Sequence, residues 1–264
     1  DYAALLAPGQ KDPTFGTTHW LGTSNLGRDV LAQLAIGARG SLLIGVTVGL
    51  AAMVLALFFG IVAGYVGGWF DEGLSLVTNV MLVIPGLPLM IVISSYIPGR
   101  SLWLVAGVLA ITSWAGSAIV LRSQARSLRN RDYVAAARIA GERTPRVIMV
   151  EILPNLLPLL ASQFIGAFIL AVLGEAGLSF LGLGPTGTIT LGTMLNDAQV
   201  GSALSRGAWW WFVMPGGVIA LLGMGLSLIN FAIDEIINPK LRLGPEYVKA
   251  INDAKKAARK AAKA

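Results

Sequence analysis

The chain has 264 residues, of which 55% are hydrophobic and 13% charged, and its mean hydropathy is +0.71. This composition is typical of a membrane protein and argues against a soluble domain. The sequence contains no cysteine and a single histidine, His19. It therefore excludes disulfides, thiolate nucleophiles and zinc-thiolate sites, and we predict neither a metal site nor a catalytic residue.

Residues 1–40 precede the first long uncharged run and are predicted to form an extracytoplasmic segment. Between Asp29 and Arg39, apolar residues recur at helical spacing, which predicts an interfacial helix ahead of the first span. Because the chain starts outside the membrane at Asp1 without a leader, we expect a removed signal peptide or a further helix upstream.

Five uncharged runs are each long enough to cross the hydrocarbon core, which takes about 20 apolar residues. They predict five transmembrane helices, at residues 40–70, 73–99, 101–121, 152–174 and 207–233. These runs are apolar on every face rather than at alternate residues, so the predicted fold is an all-α polytopic bundle. A sixth run, residues 176–196, is rich in glycine and threonine and is predicted to be loop beyond Gly184.

Glycine and proline positions predict how the helices pack and bend. Glycines recur at helix-packing spacing at Gly45, Gly49, Gly60, Gly64 and Gly68. This spacing predicts close approach of neighbouring helices. In the second span, the sequence Pro85-Gly86-Leu87-Pro88 is predicted to bend or interrupt the helix.

Most of the 20 Lys and Arg residues lie in two regions, which sets the predicted orientation. The first region, between the third and fourth predicted spans, contains Arg122, Arg126, Arg129, Arg131, Arg138, Arg143 and Arg146. The second region follows the last span and contains Lys240, Arg242, Lys249, Lys255, Lys256, Arg259, Lys260 and Lys263. The positive-inside rule puts both regions in the cytoplasm, together with a loop at Asp71 and Glu72. Residues 182–207 are then predicted to lie outside.

The cytoplasmic segment 123–155 contains a predicted helix at 132–141. Asp132 is the expected N-cap, an alanine run follows, Gly141 is the expected C-terminal stop, and Pro145 blocks continuation. The alanine surface suits a groove on a partner protein, to which Tyr133 and Arg138 would add an aromatic and a cationic contact. A solvated helix without a partner explains the same composition equally well.

This segment resembles the EAA loop of bacterial importer permeases of the ATP-binding cassette superfamily. The resemblance rests on Ala136-Ala137, Gly141 and the Leu153-Pro154 pair that follows at the family spacing, although Ala135 stands where the family usually has glutamate. The chain is more narrowly similar to the C permeases of dipeptide, oligopeptide and nickel importers. The motifs are Trp20-Leu21-Gly22-Thr23, Gly27-Arg28-Asp29-Val30-Leu31, Gly37-Ala38-Arg39, Ala63-Gly64-Tyr65-Val66-Gly67-Gly68, Asp132-Tyr133-Val134, Leu153-Pro154-Asn155, Glu175-Ala176-Gly177-Leu178-Ser179-Phe180-Leu181-Gly182-Leu183-Gly184 and Asn238-Pro239-Lys240-Leu241-Arg242.

The resemblance implies a type I ABC importer transmembrane domain at 41–238, with five of an expected six spans, and a basic cytoplasmic tail at 239–264. It implies that helix 132–141 is a coupling helix that contacts an ATPase subunit. The implied coupling residues are Tyr133, Ala136, Ala137, Arg138, Gly141 and Pro154.

The implied partners are a homologous permease, two ATPase subunits, an extracytoplasmic solute-binding protein and the lipid membrane, without nucleic acid. The solute-binding protein would dock on the segment before the first span and on the 182–207 loop. ATP and magnesium would be bound by the ATPases, because this chain has no P-loop and is not itself an enzyme. The implied location is a bacterial or archaeal cytoplasmic membrane, with the C-terminus in the cytoplasm.

Two polar residues within the predicted spans are candidates for a structural or a pathway role. Glu175 is expected to accept hydrogen bonds from the following turn or to line the substrate path, and Asn230 is expected to form interhelical hydrogen bonds. Asp234 and Glu235 are expected to pair with arginines or lysines. The sequence Trp209-Trp210-Trp211 predicts an interfacial aromatic belt.

The substrate remains open at this stage. The resemblance favours import of di- or oligopeptides, and oligosaccharides or nickel are the alternatives within the same machinery. A stand-alone secondary transporter is disfavoured because internal repeats are absent and intramembrane charges are few. An intramembrane enzyme is disfavoured because the spans carry no serine, histidine and aspartate constellation.

Overall fold

A computed structural model describes residues 5–11, 18–96 and 99–237, and helices dominate this part of the chain. The described helices are α1 (Val30–Val66), α2 (Gly68–Val83), α3 (Gly86–Tyr96), α4 (Leu102–Ser113), α5 (Ala115–Arg129), α6 (Asp132–Ile139), α7 (Thr144–Phe180), α8 (Leu191–Val200) and α9 (Trp209–Ile237). The predicted basic tail, 239–264, and the motif that starts at Asn238 lie outside the described residues.

The number of membrane spans agrees with the prediction of an all-α polytopic bundle. Within the described residues, α1, α7 and α9 are each long and apolar enough to cross a membrane, and the count rises to five if each bent pair is one span. The pair α2 and α3 bends by 87° at the predicted Pro85 break, and the pair α4 and α5 bends by 45° at Trp114. The runs predicted as the second and third spans therefore each contain a break between two helices.

The helix predicted between Asp29 and Arg39 is not a separate element, because residues 30–39 form the first turns of α1. Their apolar stripe packs inside the bundle, where Leu34 and Gly37 are buried. A Cβ atom on Gly37 would lie 3.1 Å from the carbonyl carbon of Thr190, so the glycine lets the loop before α8 contact the helix. Because other helices already cover the apolar stripe, it does not need to be buried against the membrane surface.

Glycines along α1 make the close helix contacts that their spacing predicted. A Cβ atom on Gly49 would lie 2.9 Å from the Phe164 ring of α7. Further along, a Cβ atom on Gly60 or Gly64 would lie 2.6 Å from a backbone carbonyl oxygen of α5. The prediction is wrong for Gly68, whose Cβ position has no heavy atom within 4 Å and whose φ of +66° instead opens α2.

Replacing Gly64 by alanine is expected to destabilise the bundle. The added methyl group would lie 2.6 Å from the Arg122 carbonyl oxygen, which is backbone and must shift. Overpacking of this kind costs about 1–3 kcal/mol. Thermal unfolding in detergent measures the effect against Gly166→Ala, since the Cβ position of Gly166 is open. Equal stability of the two variants would contradict the close approach of α1 and α5.

The two ends of the bundle have separate apolar cores. At the end that carries α6, called the α6 end, buried residues of α1, α5, α6 and α7 form one cluster. At the opposite end, called the α8 end, α8 and the start of α1 pack against the start of α9. The π-helical turns Leu57–Val62 in α1 and Val147–Ile152 in α7 both belong to the α6 end.

The aromatic-belt prediction is wrong for two of the three tryptophans. Trp210 and Trp211 are buried in the cluster at the α8 end, and only Trp209 is exposed by about half. The Trp210 indole Nε1 donates a hydrogen bond to the Thr23 carbonyl oxygen at 3.2 Å. The residues before α1 fold over the start of α9, so the rings fill protein core instead of facing headgroups.

The predicted 182–207 loop contains a helix that the sequence reading missed. Thr190 caps α8 by accepting a hydrogen bond from the Thr193 backbone N–H, and the Thr193 hydroxyl accepts one from the Thr190 N–H. This reciprocal cap makes the threonine run a helix start.

Candidate functional site

The N-cap of helix α6 lies one residue earlier in the chain than the sequence predicted. Arg131 occupies the N-cap position, and Asp132 is the first helical residue, so the prediction that Asp132 is the N-cap is wrong. Asp132 still lies in the first turn, where a carboxylate is favoured by the helix dipole.

The C-terminus of α6 confirms the predicted stop at Gly141. The helix ends at Ile139, and Gly141 has a φ of +82°. The Glu142 N–H donates to the Ala137 carbonyl oxygen at 3.1 Å and the Gly141 N–H to the Arg138 carbonyl oxygen at 3.0 Å. These two bonds form a Schellman motif, which needs a left-handed residue and therefore favours glycine.

One face of α6 packs on the bundle and the other is open. Val134 is fully buried in the cluster at the α6 end. Tyr133 and Ala136 are exposed, whereas Ala137 is half-buried. The helix is thus held by a valine and presents small side chains and one aromatic ring outward.

Arg138 makes an inward contact that the sequence did not predict. Its Nε donates a hydrogen bond to the Tyr65 hydroxyl at 3.1 Å, and its guanidinium carbon lies 4.9 Å from the centre of the Tyr65 ring. Tyr65 is 5% exposed and lies at the end of α1. The arginine therefore joins α6 to the first span.

Pro154, an implied coupling residue, lies within α7 and not on α6. The π-helical turn Val147–Ile152 ends just before Leu153-Pro154. Proline lacks a backbone N–H and clashes with a regular preceding turn, so a widened turn accommodates it. Pro154 itself is exposed on the same side of the bundle as α6.

An ion pair between buried Asp71 and half-buried Arg122 joins α2 to α5. Asp71 is 2% exposed and accepts two hydrogen bonds from Arg122, at 2.5 Å from Nε and 2.9 Å from Nη2. The prediction of a loop at Asp71 and Glu72 is wrong, because both residues lie within α2, Asp71 in its first turn and Glu72 just after it. Each partner stands beside an uncharged run, but the sequence does not indicate that the two meet.

Glu175 is the most buried carboxyl group of the described residues and ties three segments together. Its Oε1 accepts hydrogen bonds from the Ser179 and Thr190 hydroxyls, both at 2.6 Å, and its Oε2 accepts one from Ser41 at 3.1 Å. The Ser41 oxygen also accepts the Leu191 N–H at 3.1 Å. The expected donors in the glycine-rich turn are replaced by hydroxyls of α1, α7 and the start of α8, an arrangement that favours the structural role.

Asn230 takes part in the expected interhelical hydrogen bonding. The Ser162 hydroxyl of α7 lies 3.0 Å from Asn230 Oδ1 and 2.7 Å from Asp234 Oδ1 of α9. Among the described residues, Asp234 thus contacts a hydroxyl of α7, and its expected pairing with a lysine or arginine stays a prediction. Glu175 lies further along α7 than Ser162, which contacts Asn230, so the candidates Glu175 and Asn230 do not form one site.

Comparison with known proteins agrees with this architecture. Residues 56–243 match the family of binding-protein-dependent transport system inner membrane components. The chain belongs to this family. It is a permease chain with many apolar helices, as the resemblance predicted.

Several curated relatives cover most of the permease chain. The oligopeptide transport system permease protein OppC of Lactococcus lactis is 36% identical over 207 residues, which are 78% of this chain and 70% of the relative. OppC of Mycobacterium tuberculosis is 33% identical over 92% of this chain and 81% of its own length. The dipeptide transport system permease protein DppC of Bacillus subtilis is 34% identical over 85% of this chain and 69% of its own.

A solved structure shares the fold. The MetNI methionine ABC transporter matches with a TM-score of 0.57 and 20% identity, over 80% of this chain and 97% of that chain. This similarity confirms the predicted type I ABC importer transmembrane fold and nothing finer. The coupling residues of the permease chain remain a prediction that rests on the geometry of α6.

The α8 end of the permease chain presents a polar cavity of about 520 Å³. Its wall includes Arg28, Asn196 and Asp197. Burial raises the pKa of Asp197, and the positive charge of Arg28 partly offsets this rise. The predicted docking surface for a solute-binding protein therefore contains a shaped, charged depression.

Acid is expected to loosen the N-terminal cap of α1. Partial burial raises the pKa of Asp29. Hydrogen bonds from His19 and from the Leu31 and Ala32 N–H groups together lower this pKa by more than burial raises it, so the net pKa lies below its usual value. Stability from this group is present above the unfolded-state pKa of about 3.8 and is lost as the pH falls through the lower folded-state value. Thermal unfolding between pH 6 and pH 3 should therefore show a steeper loss than in Asp29→Asn. Parallel profiles would contradict it.

Proposed function

We propose that this chain is the transmembrane permease subunit of an ATP-driven, binding-protein-dependent importer of di- or oligopeptides. It forms the translocation path with a homologous permease and is driven by two ATPase subunits, to which it is coupled through α6. The chain itself is not catalytic, and ATP and magnesium act on the ATPases.

The observation that carries the proposal is that α6, in a chain of this family, is anchored on one face and exposed on the other. The helix is fixed to the bundle by Val134 and stopped by the left-handed Gly141, while Tyr133 and Ala136 remain exposed. Small exposed side chains on a rigid short helix suit a groove on another protein, because the backbone can approach the partner closely. A merely solvated helix has no need of a valine anchor and an arginine contact to the first span.

The proposed substrate class follows the names of the relatives. Two OppC proteins and one DppC protein match more than three quarters of this chain, and their names refer to oligopeptides and dipeptides. Oligosaccharides and nickel are the alternative cargoes of the same machinery. A stand-alone secondary transporter would work without ATPases and is the less favoured alternative.

We place α6 and the C-terminus in the cytoplasm of a bacterial or archaeal cell, with the α8 end outside the cytoplasmic membrane. Arginines concentrate around α6, in agreement with the positive-inside rule. A solute-binding protein would then dock at the α8 end. The homologous permease would contact spans that are largely unburied here, such as α9, whose most apolar window is 11% buried.

Purification of the tagged chain from its native membrane tests the proposal. We expect a second permease and P-loop ATPases to copurify, and the complex in vesicles to import labelled di- or oligopeptide only with ATP and the binding protein. A P-loop lysine variant of the ATPase is the control and should abolish uptake. Uptake without ATPase would support a secondary transporter, and ATP-driven uptake of oligosaccharide or nickel alone would replace the peptide assignment.

A further inference from the structure

We propose that Tyr65 is the positioning residue that receives the movement of α6, and that Arg138 acts on Tyr65 instead of on the ATPase. This inference rests on the proposed function. It assigns a role in coupling to a residue of the first span, which lies outside the predicted coupling segment 123–155.

The contact between the two side chains is directional. The Arg138 Nε donates to the Tyr65 hydroxyl at 3.1 Å, and the guanidinium lies over the ring at 4.9 Å from its centre. A cation above an aromatic face and a hydrogen bond to the same residue fix both the distance and the orientation of α6 relative to α1. The apolar contact of Val134 holds α6 against the bundle but sets no such orientation.

Tyr65 is built into a rigid region of the permease. It is 5% exposed and lies one residue from Gly64, where α1 approaches the α5 backbone so closely that a Cβ atom would be 2.6 Å from the Arg122 carbonyl oxygen. Displacement of Tyr65 therefore moves α5 together with α1, because dense packing transmits strain.

Arg122 of α5, whose carbonyl oxygen faces Gly64, also links the rigid region to α2 through its side chain. The Arg122 side chain holds Asp71 of α2 through two hydrogen bonds. Helix α2 then ends at the 87° break before α3, and α5 begins at the 45° break after α4. The ends of α1, α2 and α5 at the α6 end thus form one block, and the breaks at Pro85 and Trp114 mark where it meets the rest of the bundle.

The arrangement gives α6 a defined route of action. A push on the exposed face of α6 is transferred by Arg138 to Tyr65, and from Tyr65 to the three-helix block. Two discrete bends next to a packed block are the kind of element that moves as a rigid body. Loss of the contact would leave α6 bound to its partner and free to move without the block.

The test compares uptake per ATP hydrolysed in the full complex in vesicles. Tyr65→Leu and Arg138→Gln should each lower this ratio about three- to tenfold, while the amount of copurifying ATPase stays unchanged. Tyr65→Phe keeps the ring and loses the hydroxyl, and Arg138→Lys keeps a cation and loses the planar fork, so each should give a smaller loss. Tyr96→Phe is the matched control, because Tyr96 is 82% exposed at the other end of α3.

The double variant Tyr65→Phe with Arg138→Lys separates this proposal from a structural effect. The losses should be non-additive, since both changes remove the same hydrogen bond between Arg138 Nε and the Tyr65 hydroxyl. Additive losses, or a loss of bound ATPase in Arg138→Gln with normal coupling in Tyr65→Leu, would overturn the proposal and assign Arg138 to the ATPase. If Tyr65→Leu fails to fold, the Phe and Lys variants decide. Absence of ATPase from the wild-type complex would instead contradict the proposed function.

Discussion

Replacing Gly141 by valine is expected to uncouple ATP hydrolysis from uptake, with a fall in transported substrate per ATP of about tenfold. Gly141 has a φ of +82°, and a Cβ atom there would meet no neighbour within 4 Å, so strain in the backbone, not a clash, causes the effect. A left-handed conformation costs an ordinary residue about 1–2 kcal/mol, and more when it is β-branched. The Schellman bonds to Ala137 and Arg138 would open and shift the end of α6.

Gly141→Asn is the matched control for this experiment, because asparagine tolerates the left-handed region and the open Cβ position leaves room for its side chain. We expect the asparagine variant to keep most of the coupling. The measurement is ATP hydrolysis and uptake in the same vesicles, with the bound ATPase quantified. Equal coupling in the valine variant and the wild type would show that the cap of α6 has no role in transport.

Replacing Glu175 by alanine is expected to cause the largest loss of stability. The change leaves the hydroxyls of Ser41, Ser179 and Thr190 without their common acceptor in a buried site. Because a buried hydrogen-bonding group that is left without a partner costs about 1–3 kcal/mol, a loss of about 3 kcal/mol or more is expected for the three hydroxyls. Thermal unfolding of the permease in detergent measures the effect.

Two further variants make the Glu175 experiment specific. Glu175→Gln keeps one acceptor oxygen and should lose less stability than the alanine variant. Glu72→Ala removes an exposed glutamate and should change the free energy of unfolding by less than about 0.5 kcal/mol. If Glu175→Ala is stable but transport fails, Glu175 belongs to the substrate path and the structural assignment is wrong.

The predictions that succeeded from sequence depend on local chemistry. Gly141 stops α6 and Pro85 breaks the second span because each acts on the backbone of its own segment. Gly60 and Gly64 have the spacing that close packing needs, although the sequence does not indicate which helix they meet. Alanine composition and arginine distribution gave the position of α6 for the same reason.

The features that were missed depend on residues distant in sequence. Arg138 and Tyr65 are 73 residues apart, and Arg122 and Asp71 are 51 residues apart, so neither contact has a local signal. From its sequence context Trp210 resembles a membrane-interface residue, but in the structure the segment before α1 covers it. Such tertiary contacts override the composition of a segment.

The bend at Trp114 shows a limit of a different kind. No proline lies at the bend, although Gly116 follows it by two residues. The Ser113 hydroxyl donates to the Leu109 carbonyl oxygen at 2.7 Å and the Thr112 hydroxyl to the Val108 carbonyl oxygen at 3.1 Å. Hydroxyls that bond back to the preceding turn bend helices. Serine and threonine are too common in helices for this pair to predict a bend.

The three donors to Glu175 also constrain how the protein is made. Ser41 precedes Glu175 by 134 residues, whereas Thr190 follows it by 15. During translation, a nascent chain that stops before Thr190 carries a carboxyl group in a nearly complete apolar span with part of its acceptor capacity unfilled, which disfavours transfer into lipid. We therefore expect stable insertion of α7 to require that the start of α8 has left the ribosome and that the first helix is already in place.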